Sequence, residues 1–340
     1  MATSEPKGLA TGLQQLPLVT LYLTERCNSR CVSCDYWRHG RAQLSLESVQ
    51  ALLPELKQLG TQAVLVSGGE PLLHPQWAEI AALLKAQGLQ LWLLTAGLAL
   101  AKHAEQVCAL FDTLTVSMDG ADAATYTTIR GVDAFDAVCA GLRAAARLGK
   151  PATLRCTVQG RNFRQLPRLV ALAHELGAAG ISFLAADLNN AEAFGRIADA
   201  ARPESLALGI DDLAAFEQLL AEMERTLAPD FQSGFIAESP AKLRRIHAHY
   251  RALLGLGDFP PVRCNAPEFS AVLEAGGGVR PCFFIPGPPP AGTLTQSINS
   301  PAMRQLRESI RCGEQPECRR CVCSMWREPA ALQRQLEPAL

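Results

Sequence analysis

The segment TERCNSRCVSCDYW places Cys27, Cys31 and Cys34 within eight positions, spaced C-x3-C-x2-C. A structural zinc ion takes four protein ligands, and so does an ordinary iron–sulfur cluster. Three thiolates from one tight loop leave one metal position open to a non-protein ligand, as a catalytic centre requires. The spacing alone also fits a zinc site completed from elsewhere, by Asp35 or His39. A second group lies near the C-terminus: Cys264, Cys282, Cys312, Cys318, Cys321 and Cys323. Between Cys264 and Cys282, the strand-like runs FSAVLE and VRPCFF flank a glycine turn, which reads as a hairpin. A hairpin brings its ends together, so Cys264 approaches Cys282. With Cys318 and Cys321 of ECRRCVC they make a four-thiolate site, and Cys312 or Cys323 can replace a member. Four protein ligands close a site, which suits electron transfer or structure better than substrate ligation; a four-thiolate zinc site is the plainer reading.

These loops need elements to position them. Six apolar runs of strand length recur: LVTLYLT (18–24), AVLVS (63–67), LQLWLLT (89–95), TLTVSM (113–118), ATLRCTV (152–158) and GISFLAA (180–186). Helix-length segments with apolar residues near 3.6 spacing separate them, such as LESVQALLPELKQLG, and end in glycine. Strand–helix alternation implies a parallel sheet with crossover helices, either open or closed into a complete or partial barrel. In such folds functional residues follow the strands. Those positions hold Glu25 to Cys34, then Gly68-Gly69-Glu70-Pro71, Ala96-Gly97, Asp119-Gly120, Gln159-Gly160 and Asp187 to Asn190. On the fifth strand, alternation puts Arg155 and Thr157 on one face and Leu154, Cys156 and Val158 on the other. Cys156 therefore reads as core, as do Cys108 and Cys139 in helical patterns.

The C-x3-C-x2-C loop after a first strand resembles the radical S-adenosylmethionine (SAM) superfamily. SGGEP (67–71) resembles its GGEP segment, and VSMDG followed by TIRGV resembles the SxDG…RG segments of the branch with C-terminal cluster domains. The resemblance covers roughly residues 17–190. It implies a partial (β/α)6 TIM-like barrel with a small C-terminal iron–sulfur domain containing a β-hairpin. It implies that Cys27, Cys31 and Cys34 hold a 4Fe–4S cluster whose open iron is chelated by SAM, and that an electron from the cluster cleaves SAM to a 5′-deoxyadenosyl radical. Gly68, Gly69, Glu70 and Pro71 then surround the methionine amino group, with Ser117 and Asp119 near the carboxylate or ribose and Arg155 on the carboxylate. Relatives often carry an aromatic residue just before the third cysteine. Here that residue is Ser33, and Tyr36 or Trp37 takes over the contact. Ala96 replaces the Asn of a TNG-like segment. The C-terminal cysteines resemble SPASM and twitch auxiliary-cluster domains, implying a second 4Fe–4S cluster on Cys264, Cys282, Cys318 and Cys321. No catalytic side chain is singled out beyond the clusters.

The chain has 340 residues, with 48% hydrophobic, 19% charged and a net charge of −1. That composition supports a buried core and argues against a polyanion-binding face, hence against a nucleic-acid partner. No apolar run reaches transmembrane length and the N-terminus does not read as a secretory signal, so a cytoplasmic protein without a membrane partner is expected. Twelve cysteines without an export signal favour metal binding over disulfides. The expected organisation is an arm (1–16), a barrel core (17–200), a helical extension (201–256), an auxiliary domain (257–328) and a tail (329–340). Asp187, Asn189, Asn190 and Glu192 can line a polar substrate pocket or cap the next helix. PGPPPAG (286–292) reads as a rigid loop and HAHY (247–250) as a solvated helix face. The expected function is hydrogen abstraction from a small polar metabolite or a natural-product or cofactor precursor. The alternatives are modification of a ribosomal peptide or protein side chain, and a non-catalytic iron–sulfur or zinc scaffold, electron carrier or redox sensor. The enzyme reading also implies a reductase or flavodoxin-type electron donor.

Overall fold

The structure, a computed structural model, describes residues 12–188, 190, 191, 193–196 and 206–328. Most of the expected arm (1–11), Asn189, Glu192, the side chain of His39 and the 329–340 tail lie outside the described residues. All six apolar runs are strands: β1 (Leu18–Thr24), β2 (Ala63–Gly68), β3 (Gln90–Thr95), β4 (Thr113–Ser117), β5 (Thr153–Val158) and β6 (Gly180–Ala185). The hairpin supplies β7 (Ser270–Leu273) and β8 (Val279–Arg280). The sheet order is β6-β5-β4-β3-β2-β1-β7-β8, and it does not close on itself. Pairings from β1 to β6 are all parallel.

Each strand buries one face under the crossover helices. Val19, Leu21 and Leu23 of β1, Val64 and Val66 of β2, and Leu154, Cys156 and Val158 of β5 all join one large core. The opposite faces line the inside of the curved sheet. There Leu18, Ala63, Leu65 and Trp92 form a small apolar cluster, while Arg155 and Thr157 occupy the matching face of β5, as alternation predicts. Cys156 and Cys139 are core residues, and Cys108 packs against the same core.

The C-terminal hairpin joins the sheet beside β1. Strand β7 pairs parallel with β1, with Leu18 opposite Ser270 and Leu21 opposite Leu273, and β8 returns antiparallel. The C-terminal hairpin thus extends the barrel sheet. At the other end, the backbone of Phe235 and Ala237 hydrogen-bonds Ile181 of edge strand β6 at 2.7 and 2.9 Å. This covers an edge that would otherwise invite strand pairing. No helix among the described residues is long and apolar enough to cross a membrane.

Candidate functional site

The cysteine loop leaves β1 at Thr24 and is stitched to two neighbours. The N–H groups of Arg30 and Val32 donate to the carbonyls of Arg130 and Ile129 at 2.8 and 3.1 Å, at the C-terminus of the helix Ala123–Arg130. Gly131 caps that helix at φ +69°, and a Cβ there would run into the Arg30 carbonyl. The RG pair of TIRGV therefore matters because Gly131 alone lets the cysteine loop lie against the helix end.

The SGGEP segment meets the same loop from the other side. Gly69 and Glu70 donate their N–H groups to the carbonyls of Thr24 and Arg26 at 2.7 and 2.8 Å. A Cβ on Gly68 would collide with the Thr24 carbonyl, and one on Gly69 with those of Glu25 and Arg26. Both glycines are thus required by the close approach of two backbones. Pro71 opens the short 3₁₀ turn Pro71–Leu73, where its missing N–H costs nothing.

Glu70 is fully buried. Its Oε1 accepts from Leu72 N–H and the Thr95 hydroxyl at 3.1 and 2.7 Å, and its Oε2 accepts from Ala96 N–H at 2.7 Å. The Glu70 carboxylate ties the end of β2 to the end of β3. The donor from the TAG segment is the backbone of Ala96, which needs no Asn side chain. Asp119 has a similar role at the end of β4. It is buried, pairs with Arg130 at 3.0 Å and accepts from Thr157 N–H at 2.7 Å. Asn162 reinforces this knot by donating to the carbonyls of Asp119 and Thr157, both at 2.9 Å. Ser117 ends β4 and sits opposite Arg155 in the β4–β5 register.

Tyr36 is buried edge-on against Tyr22, with ring centroids 6.2 Å apart, and its ring fills the space a Cβ on Gly195 would need. It packs with Cys34, Val272 and Phe283, so it braces the third cysteine against the hairpin. Trp37 donates its indole N–H to the Cys34 carbonyl at 2.9 Å. Phe194, beyond β6, reaches the same place. Its carbonyl accepts from Asp35 N–H at 3.1 Å and from the Cys34 thiol at 3.2 Å. Its ring meets Phe284 edge-on at 5.8 Å. Residues 193–196 thereby touch both cysteine regions. Sequence reasoning missed Arg130, Asn162 and Phe194; only Arg130 had a signal, its place in TIRGV.

Burial raises the thiol pKa of Cys27 to about 11 and of Cys34 to about 12, and raises that of Cys31 as well. Thiols buried this way bind metal by releasing protons. Asp35, one proposed fourth ligand for zinc, is buried and paired with Arg38 at 3.0 Å. Among the described residues no three Cys, His, Asp or Glu side chains converge on one metal-ion position. A cubane offers a separate iron to each thiolate, so its ligands surround a body instead of a point. Three thiols on one loop are a donor set that fits such a cluster.

The second cysteine group surrounds one cavity beside β1 and β7. Cys264, Cys282, Cys318, Cys321 and Cys323 all line it, together with Leu18 and Thr20 from the inner face of β1. Cys312 stands apart. It is exposed at the end of the helix Pro301–Arg311, and its thiol donates to Glu308 at 3.3 Å. Of the two possible replacements, the structure brings Cys323 to the site and leaves Cys312 outside it. Burial pushes the Cys318 thiol up to about 12 and raises Cys282 and Cys321 too. The Cys323 thiol is also raised by burial, while Arg155 acts against that rise more strongly than any other charge.

At the ends of β5 and β6, Asp187 pairs with Arg196 at 3.3 Å. Among the described residues, the buried side-chain amides of Gln159 and Asn190 and the Nε2 of buried His249 have no hydrogen-bond partner. The HAHY segment is therefore not the solvated face its sequence suggests. His249 and Tyr250 are buried, and the Tyr250 hydroxyl donates to the Val158 carbonyl at 2.5 Å.

Residues 21–173 match the model of the Radical SAM superfamily. The AdoMet-dependent heme synthase of Methanosarcina barkeri is 32% identical over 167 residues, covering 47% of this chain and 48% of that protein. The mycofactocin maturase MftC of Mycobacterium ulcerans is 27% identical over 320 residues, covering 90% of this chain and 81% of the relative. The crystal structure of Streptococcus suis SuiB bound to S-adenosylmethionine superposes with a TM-score of 0.66 at 14% identity, over 92% of this chain and 73% of that one. This likeness concerns the fold. The chain spans about half the length of the curated relatives it matches first.

Proposed function

We propose, from the match of residues 21–173 to the model of the Radical SAM superfamily, that the chain is an enzyme holding a catalytic 4Fe–4S cluster on Cys27, Cys31 and Cys34 and a second, closed cluster on Cys264, Cys282, Cys318 and Cys321. A cluster held by Cys27, Cys31 and Cys34 would supply the electron for reductive cleavage of bound SAM, and with it hydrogen abstraction from a substrate. The observation that carries the reading is the three-thiol loop lying directly beside SGGEP. The chain's own contribution is positional. Glu70, Asp119 and Asn162 lock the rim, so that Gly68, Gly69 and Ser117 would meet SAM without reorganisation. Tyr36 and Phe194 pack against the third cysteine and hold it in place.

Two substrate classes follow. The half-length likeness to a heme synthase supports a small natural-product or cofactor precursor. The nearly full-length likeness to a maturase supports a peptide or protein side chain. The amides of Gln159 and Asn190, without partners among the described residues, supply neutral hydrogen-bonding groups suited to either. The reaction also draws on a one-electron donor of reductase or flavodoxin type. A variant carrying Cys27→Ala, Cys31→Ala and Cys34→Ala tests the assignment. It should lose about half of the iron and all SAM cleavage; retained cleavage would refute the catalytic ligand set.

A further inference from the structure

The five-thiol cavity is flanked by an exposed face rich in arginine. Val262, Cys264, Cys318, Cys321 and Met325 line the cavity. Arg263 lies between the first two, Arg319 and Arg320 lie between Cys318 and Cys321, and Trp326 follows Met325. Asn265 holds these segments side by side, accepting from Arg327 N–H at 2.9 Å and donating to the Arg327 carbonyl at 2.8 Å. Exposed Arg263 lies over the ring of exposed Trp326 at 3.9 Å, and exposed Arg320 over the ring of Phe259 at 5.6 Å. The helix Pro240–Leu253 completes the face, with Arg245 donating to the Pro261 carbonyl at 2.7 Å and Arg251 to that of Leu256 at 3.1 Å. Leu254, Leu256 and Trp326 are three of the five exposed large hydrophobic side chains among the described residues, so apolar exposure concentrates here as well.

The charge of this face is one-sided. Residues 240–263 carry Lys242, Arg244, Arg245, Arg251 and Arg263 against Asp258 alone, in a chain whose net charge is −1. Lys242 and Arg244 are paired with Glu238 and Glu224, and Arg263 with Glu328. Arg245, Arg251, Arg319 and Arg320 meet backbone carbonyls or the Phe259 ring and form no ion pair among the described residues. Arginine and tryptophan beside exposed leucine is the composition of a protein interface, and a positive face selects a negative partner.

We propose that this face docks an acidic one-electron carrier of flavodoxin type, which delivers its electron through the auxiliary centre. This rests on the two-cluster reading above. One electron leaves the reduced flavin of the carrier and enters the auxiliary cluster, and no bond forms or breaks in that transfer. A redox carrier fits better than an acidic peptide because the arginines flank thiols that are themselves only partly buried, Cys264, Cys318 and Cys321, so the docked partner meets the redox centre directly.

The test titrates the anaerobically reconstituted full chain with an acidic flavodoxin, by calorimetry at low and at physiological salt. The same titration is run on an Arg263→Glu, Arg320→Glu double variant and on Arg147→Glu, which changes an exposed arginine of the helix Phe135–Arg147. Binding to wild type should weaken as salt rises. The double variant should lose about ten-fold or more in affinity, and Arg147→Glu should not. Reduced flavodoxin should also reduce the double variant more slowly, while SAM cleavage driven by dithionite, which needs no docking face, stays at the wild-type level. Absent or salt-insensitive binding would overturn the proposal, as would an equal loss in Arg147→Glu. A flavin-free acidic peptide that binds as tightly as flavodoxin would overturn it too, and so would dithionite-driven cleavage that falls in step with affinity. A wild-type protein that loads only one cluster would instead refute the two-cluster reading itself.

Discussion

The carboxylate of Glu70 accepts a hydrogen bond from the backbone N–H of Ala96 at 2.7 Å, joining the second and third strand ends beneath the cysteine loop. With Leu72 N–H and the Thr95 hydroxyl it satisfies three donors inside the protein. Glu70→Gln replaces one acceptor oxygen with a donor facing another donor. Losing a charged, buried hydrogen bond of this kind costs about 1.5–3 kcal/mol. A urea melt of the metal-free protein should show that loss, which an exposed ligand-facing glutamate would not produce.

Gly131→Ala should disturb the cysteine loop from outside it. The left-handed conformation alone costs about 1–2 kcal/mol for a residue with a Cβ, and here the Cβ also meets the Arg30 carbonyl. Iron uptake by the catalytic site should fall while the auxiliary site loads normally, as read by iron counting and EPR. Equal loading of both sites would show that the loop does not depend on this contact.

The two spare cysteines should behave differently. Cys312→Ser should keep the full iron complement, because its thiol lies outside the cavity. Cys282→Ser should lose about half, the share of one of the two proposed four-iron clusters. Combining Cys323→Ser with Cys321→Ser decides whether Cys323 substitutes for its neighbour: a double variant with less iron than Cys321→Ser alone shows that it does.

His249 gives the fold an acid-sensitive point. Burial lowers its pKa from the ordinary value of 6.5 to about 4, so the folded protein holds it neutral while the unfolded chain protonates it. The unfolded state binds more protons between these values, so stability falls as pH drops through that window. From pH 7.5 to pH 5 the loss is about 2 kcal/mol. His249→Phe should flatten that stretch of the stability–pH curve in urea melts at several pH values, whereas an unchanged slope would place the titration elsewhere.

Local pattern was enough for some of this architecture. The six strands announce themselves because each is an apolar run between helical segments, and Cys156 is core because alternation leaves it no other face. Strand β7 was legible as half of a hairpin. Its parallel pairing of Ser270 with Leu18 was not, since nothing local encodes a partner so distant along the chain. Glu70 shows the same limit at the site. A carboxylate after a strand reads the same whether it meets a ligand or a neighbouring backbone, and only the position of Ala96 decides. Burial of His249 likewise depends on packing against Phe259, 5.4 Å between rings, which the basic helix around it conceals.

The most direct measurement is anaerobic reconstitution of the wild-type chain, counting of iron and sulfide, then addition of SAM and dithionite with analysis of the products. The account predicts ~8 irons per chain and release of 5′-deoxyadenosine. Bound zinc in place of iron, with SAM left intact, would contradict it.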